Sequence, residues 1–208
     1  VKGNTVLELI AGLLIFFGVH SIRVRGDSVR DTWVTRLGPL GFKLAYSGIS
    51  LIGFLLIVSG YAAARLEPIL VWQPPMGMAH ASSLLTLVAF VFLAAAYIPG
   101  NFILRKTKHP MTIAVKLWAF GHLLANGGLH DIFLFSGFLI WAVLVFRSAR
   151  RRTAPASPSM VKQLPAWIAS QPANRLATLV TLGVGIGAWA WFAFVGHALL
   201  IGVAPFAR

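Results

Sequence analysis

Cysteine is missing from all 208 residues, and acids are scarce, with five Asp and Glu against eighteen Lys and Arg. The first absence excludes disulfides, thiolate haem ligation, iron–sulfur clusters and cysteine nucleophiles. The second leaves a formal net charge of +13. Charged residues of either sign make up only 11% of the chain, while hydrophobic residues make up 58% and mean hydropathy is +0.80. No Ser-His-Asp arrangement, HExxH motif, P-loop or GxGxxG fingerprint is present. What the chain does have is a series of apolar runs near the length of about 20 residues that a membrane-crossing helix needs.

Six such spans can be drawn, near 6–22, 40–64, 79–98, 111–125, 131–146 and 175–203. In lipid a helix satisfies its own backbone, and no ten-residue alternation suggests a barrel. The chain therefore reads as an all-α, polytopic membrane helical bundle of about six transmembrane helices, a single domain over 1–208. The first span lacks a basic flank and an A-x-A-like exit, so it reads as retained, not as a cleaved signal. Pro110 opens the fourth span at a helix-start position. Asn126-Gly127-Gly128 reads as the turn of a tight hairpin between short fourth and fifth spans. Residues 148–174, rich in Pro, Ala and Ser, read as a cytoplasmic linker. Within it Val161, Leu164, Trp167 and Ile168 have the spacing of a short helix lying on the membrane, although Pro165 limits its length.

Charge placement predicts the orientation. Loops after spans one, three and five hold Arg23, Arg25, Arg30, Arg36, Arg105, Lys106, Lys108, Arg147, Arg150, Arg151, Arg152 and Lys162, and Lys43, Lys116 and Arg175 open helices on the same side. The other side has Lys2, Arg65 and Arg208. The positive-inside rule then puts the basic loops in the cytoplasm and both termini outside. Topogenic anchoring accounts for the basic excess. The Arg150-Arg151-Arg152 run needs only anionic membrane lipid as a partner, and no nucleic acid is expected.

Ionisable groups inside a membrane are costly and are functional candidates by default. His122 lies on the fourth span with Trp118 one turn before it and Asn126 one turn after, on the same face. If Lys116 snorkels to the surface, His122 is about 9 Å deeper at helical rise. His20 ends the first span three residues before Arg23, so it sits roughly 4–5 Å inside. Two imidazoles at similar depth on neighbouring helices match the needs of a haem held axially by two histidines. An interfacial His20 and a hydrogen-bonded packing His122 would give the same pattern. Asn126 is placed to accept the second N–H of His122, and the small residues Ala119, Gly121 and Ala125 allow either close packing or a flat cofactor. His109, in Lys108-His109-Pro110, opens a helix at a basic interface. It could bind an anionic group, serve as the second axial ligand in place of His122, or simply face headgroups.

The other candidates are weaker. Tyr97-Ile98-Pro99-Gly100-Asn101 ends the third span. His80 caps that span and His197 lies near the end of the sixth. His130 and Asp131 are either a pair that tune each other's protonation or the exposed start of span five. Glu8 reads as a surface acid, with a proton relay as the alternative.

Gly18-Val19-His20-Ser21-Ile22-Arg23, Lys108-His109-Pro110 and Lys116-Leu117-Trp118-Ala119-Phe120-Gly121-His122-Leu123-Leu124-Ala125-Asn126-Gly127 together resemble the NnrU family of bacterial membrane proteins, and Leu200-Ile201-Gly202-Val203 fits as well. The resemblance covers nearly all of the chain outside the linker. It implies a link to denitrification, through the expression or activity of nitrite and nitric oxide reductases. The family's relatives include plant 15-cis-zeta-carotene isomerase, a membrane enzyme with histidine-bound haem b. The resemblance therefore implies haem b, with His20 and His122 as axial metal ligands and the basic rim that includes Arg23, Arg25 and Lys116 facing its propionates. Three roles follow: an accessory or sensor protein in nitric oxide metabolism, a haem-dependent isomerase of a lipid-soluble polyene substrate, and, ranked lowest, a membrane methyltransferase of the kind whose helix also opens on basic-His-Pro.

Overall fold

Apolar segments that must satisfy their own backbone fold as helices, and they do so throughout this computed structural model, which describes residues 2–24, 27–151 and 172–206. The elements are α1 (Lys2–His20), a 3₁₀ turn (Ile22–Val24), α2 (Asp27–Leu66), α3 (Met78–Tyr97), α4 (Phe102–Thr107), α5 (Pro110–Ala125), α6 (Leu129–Arg151), α7 (Arg175–Trp191), a π turn (Phe192–Gly196) and α8 (His197–Ile201). Among the described residues, four helical stretches are long and apolar enough to cross a membrane: Ser28–Leu66, Met78–Tyr97, Leu129–Arg151 and Arg175–Ile201. Thr5–His20 and Pro110–Ala125 are apolar but shorter. The chain is thus an all-α membrane protein, and the four long and two short apolar helices correspond to the six expected spans. It divides into two compact units, Val1–Pro74 with Asn126–Ser148, and Pro75–Ala125 with Ala149–Arg208.

In the first unit α1 and α2 run antiparallel at a distance that only glycine permits. A Cβ on Gly53 would lie 2.8 Å from the Phe16 nitrogen, and one on Gly12 would lie 2.7 Å from the Ile57 nitrogen. Small residues let helix backbones meet in this way and so gain dispersion contact where lipid offers no hydrophobic drive. Leu9 and Ile57 are buried along the seam, and Leu13 is buried near Gly137 of α6. Glu8 is tied across it, accepting a 2.5 Å hydrogen bond from the Ser59 hydroxyl. On the other side of α1, the Phe17 ring meets the Phe138 ring of α6 edge-on at 4.9 Å.

Two expectations about this unit need correction. Residues 27–37, read as loop, are helical and belong to α2, which changes direction at Gly38 (φ 71, ψ 163) before Pro39. Proline lacks the N–H of a continuing helix and pushes the preceding residue out of the α region, and glycine accepts that conformation. Only the part after this bend corresponds to the span drawn from residue 40. The fifth span, read as short, is the 23-residue α6, longer than the 20 residues of α3. The chain does break at 126–128, as the Asn-Gly-Gly signal requires. That break is also pinned to the segment after α2: Val71 N–H donates to the Gly127 carbonyl (2.9 Å), Leu129 N–H donates to the Ile69 carbonyl (2.8 Å), and Leu70 and Gly128 form an antiparallel bridge. A Cβ on Gly127 would overlap the Trp72 carbonyl oxygen.

The second unit is built on α3. Gly121 of α5 packs against Ser82 and Leu85, and Gly185 of α7 lies against the Val91 backbone. Trp189 Nε1–H donates to Thr86 Oγ1 at 3.3 Å. The predicted turn at 97–101 is present, with Gly100 at φ 71. Asn101, 1% exposed, stitches it together. Its Nδ2 donates to the Ala95 carbonyl (3.1 Å) and to the Ile98 carbonyl, while its Oδ1 caps α4 by accepting from Leu104 N–H (2.7 Å). Asn174 caps α7 in the same way through Ala177 N–H, at 2.7 Å. The sixth span is not uniform, because one π turn separates α7 from α8. α6 continues to Arg151, past the expected start of the linker. The membrane-surface segment at 160–169, together with Arg152, Lys162 and Arg25, lies outside the described residues.

Candidate functional site

His20 is the last residue of α1 and is half-buried. Its Nδ1–H donates to the Phe16 carbonyl one turn back at 2.7 Å. A carbonyl can only accept, so this bond places the proton on Nδ1 and leaves the Nε2 lone pair as the coordinating or accepting atom. Among the described residues, none hydrogen-bonds Nε2. Aromatic rings surround the imidazole: Phe16 is stacked at 4.0 Å, Tyr46 of α2 is at 5.4 Å, and Trp141 of α6 is edge-on at 6.1 Å. Trp141 in turn stacks on Phe17 at 5.8 Å. Its indole Nε1–H is buried and has no hydrogen-bond partner among the described residues, and the same is true of Ser50 Oγ. A buried donor without a partner costs free energy unless a ligand or water takes it up. Arg23 sits in the 3₁₀ turn just beyond His20.

His122 on α5 repeats this local geometry. Its Nδ1–H donates to the Trp118 carbonyl, again one turn back, at 2.8 Å. The Trp118 ring tilts against the imidazole with centroids 5.2 Å apart. Ala119 and Gly121, the expected small residues, are fully or nearly buried. The backbone carbonyl thus takes the ring proton that was expected to go to Asn126, and Asn126 lies one residue beyond the end of α5. His109 stands between Lys108, at φ 61, and Pro110. Its own carbonyl accepts from Thr112 Oγ1 at 2.9 Å and so serves the first turn of α5. His20, Arg23 and Asn126 belong to the first unit, and His109, Trp118 and His122 to the second.

A third constellation escaped sequence reasoning in its full form. His130 and Asp131 are both buried in the first turn of α6, not exposed. Asp131 Oδ1 accepts from the Tyr61 hydroxyl at 2.7 Å, and Oδ2 accepts from Gly128 N–H at 3.2 Å. The second bond is the acidic half of a capping box, closing a free N–H at the helix start. His130 Nε2 lies 3.5 Å from Asp131 Oδ1, and the Tyr61 ring meets the imidazole at 5.1 Å. Arg65 lies over the other partner of the cluster, 5.8 Å from the Tyr61 centroid. The His-Asp pair was visible in sequence, but Tyr61, seventy residues upstream, was not. Among the described residues, no cluster of three or more His, Cys, Asp or Glu side chains is arranged to hold a bare metal ion.

His80 and His197 are set apart from these groups. His80 lies exposed in the first turn of α3, and His197 Nδ1–H donates to the Val203 carbonyl at 2.7 Å.

No curated protein and no solved structure matches the chain. A family model does: the one described as NnrU protein matches residues 8–205, nearly the whole length. The chain belongs to the NnrU family.

Proposed function

We propose that this NnrU-family membrane protein binds b-type haem through histidine and serves as an accessory or sensor protein in nitrogen-oxide respiration. The observation that carries the haem reading is the shared state of His20 and His122. Each donates Nδ1–H to the carbonyl one turn back, which orients the ring, and at His20 this presents Nε2. His20 would hold the haem iron from the first unit, and His122, with His109 as its alternative, is the candidate that the sequence offers for a second ligand. The His20 surroundings fit such a group: flat aromatic walls, a free Nε2 and an orphaned indole N–H. When bound, haem supplies one-electron redox chemistry and an affinity for diatomic gases. The chain's own part is to fix the imidazole tautomer, to exclude water with Phe16, Phe17 and Phe138, and to offer the Trp141 N–H as a buried donor. The membrane is assigned as the bacterial cytoplasmic membrane, with the basic loops inside and both termini outside, because fifteen of eighteen basic residues fall on one side of the span order.

The test is the visible spectrum of the full chain, purified from cells supplied with haem precursor, in oxidised and reduced forms. A Soret band with sharp reduced bands is expected, and its absence overturns the haem reading. His109→Ala, measured beside His20→Ala and His122→Ala, decides the second ligand. Loss of haem in His109→Ala with retention in His122→Ala moves that assignment to His109. The respiratory role is tested separately by nitrite and nitric oxide reductase activities in a deletion strain. Unchanged activities count against it. A reporter fused after Arg208 that is active only in the cytoplasm overturns the orientation.

A further inference from the structure

The segment of α2 before its bend has its own character. Arg30, Trp33 and Leu37 recur at three- and four-residue intervals and so share one face of residues 27–37. Between the end of α1 and the residues of α2 on either side of the bend at Gly38 and Pro39 lies a half-open cavity of about 250 Å³. Gly18, Val19, Trp33, Leu37, Phe42 and Tyr46 are among its lining residues, none of which carries a charge. Its rim is cationic: the Arg30 guanidinium lies over the Phe42 ring, 5.8 Å from the centroid. Arg30 also donates to Asp31 Oδ1 at 3.2 Å, which leaves further N–H donors of its five for an external anion.

We propose that this cavity binds one acyl chain of an anionic phospholipid whose phosphate pairs with Arg30. The lining is almost wholly hydrocarbon, so it accepts an acyl chain and disfavours a polar head, whose burial there would cost hydration with little return. The cation at the rim selects a negative headgroup over a zwitterionic one, and guanidinium is suited to phosphate oxygens. An amphipathic segment that ends in a bend is how a helix passes from the membrane surface into the bilayer, so the rim lies at headgroup level and the cavity at acyl level. The proposal does not rest on the haem reading.

The experiment uses the full chain in phosphatidylcholine nanodiscs. These contain a small fraction of phosphatidylglycerol, or of additional phosphatidylcholine, bearing a diazirine in its acyl chain. Cross-links are mapped by peptide mass spectrometry. The phosphatidylglycerol probe is expected to label residues 33–49 about fivefold more than the phosphatidylcholine probe, the preference one surface cation confers. Labelling of α7, which faces bulk lipid, should be equal for the two probes. Gly18→Leu fills the cavity at little cost to the fold, because a Cβ at Gly18 meets nothing within 4 Å. It should remove the excess labelling while leaving α7 unchanged. Arg30→Gln should keep acyl labelling but erase the headgroup preference. Equal labelling of 33–49 by both probes in the wild type, or excess labelling that survives Gly18→Leu, overturns the proposal.

Discussion

His20 and His130 belong to the same unit and each lies at one end of an apolar helix, yet their surroundings assign them opposite work. His20 spends one nitrogen on a local carbonyl and keeps the other free, among rings that neither donate to it nor accept from it. His130 is closed in. Its Nε2 faces Asp131, whose carboxylate also holds Tyr61 and Gly128, and this group sits where the 126–128 break is bridged to residues 69–72. An open nitrogen in a half-buried aromatic setting suits a ligand. A satisfied polar cluster at a helix start suits a latch. Histidine inside a membrane is therefore not one signal, and what separates the two cases is whether aromatic rings or a carboxylate cluster surround the imidazole.

Removing each ring in turn separates the two roles. His20→Ala should lower bound haem per protein by about tenfold or more, as loss of a ligand or of its orienting partner does. His130→Ala should leave the spectrum intact and lower the unfolding temperature. Pyridine haemochrome assays and thermal unfolding in detergent give both numbers. A His130→Ala protein that keeps its melting temperature but loses its spectrum would reverse the two roles.

Next in size is the latch itself. Gly127→Ala puts a methyl group into the Trp72 carbonyl, so backbone must move, and overpacking of this kind costs about 3 kcal/mol. Asp131→Asn keeps the volume but weakens acceptance from two donors and removes the charge that faces His130, an effect of about 2 kcal/mol. Both variants should lose stability in urea or thermal titrations, and the fraction that remains folded should keep the wild-type haem content.

The spans were legible because lipid leaves the backbone few choices, and the breaks were legible where proline or glycine enforces them, at Pro110, at 99–101 and at 126–128. Residues 27–37 were not. Asp, Arg and Thr give that stretch the composition of a loop, and it is helical through an amphipathic face that one sequence displays only weakly. The orientation of both site histidines had a partial trace, an aromatic residue four positions earlier in Phe16-to-His20 and in Trp118-to-His122. The hydrogen bond that matters, however, goes to the backbone carbonyl of that residue, which any side chain would supply. Tyr61 left no trace beside Asp131, because their pairing depends on how α2 returns to the start of α6. Trp141 was likewise invisible as a neighbour of His20, since three helices have to pack before that contact exists.

The smallest effect probes the latch one bond at a time. Tyr61→Phe removes a single 2.7 Å hydrogen bond to Asp131 and keeps the ring that meets His130. Asp131 Oδ2 retains Gly128 N–H, and Oδ1 retains the imidazole, so the carboxylate is not orphaned. The expected cost is therefore about 1 kcal/mol, the size typical of one interhelical hydrogen bond in a membrane protein. In a double-mutant cycle with Asp131→Asn, part of that cost should vanish, because both changes act on the same bond. Additive effects would mean that Tyr61 stabilises α2 by some other contact, and that the latch consists of Asp131, Gly128 and His130 alone.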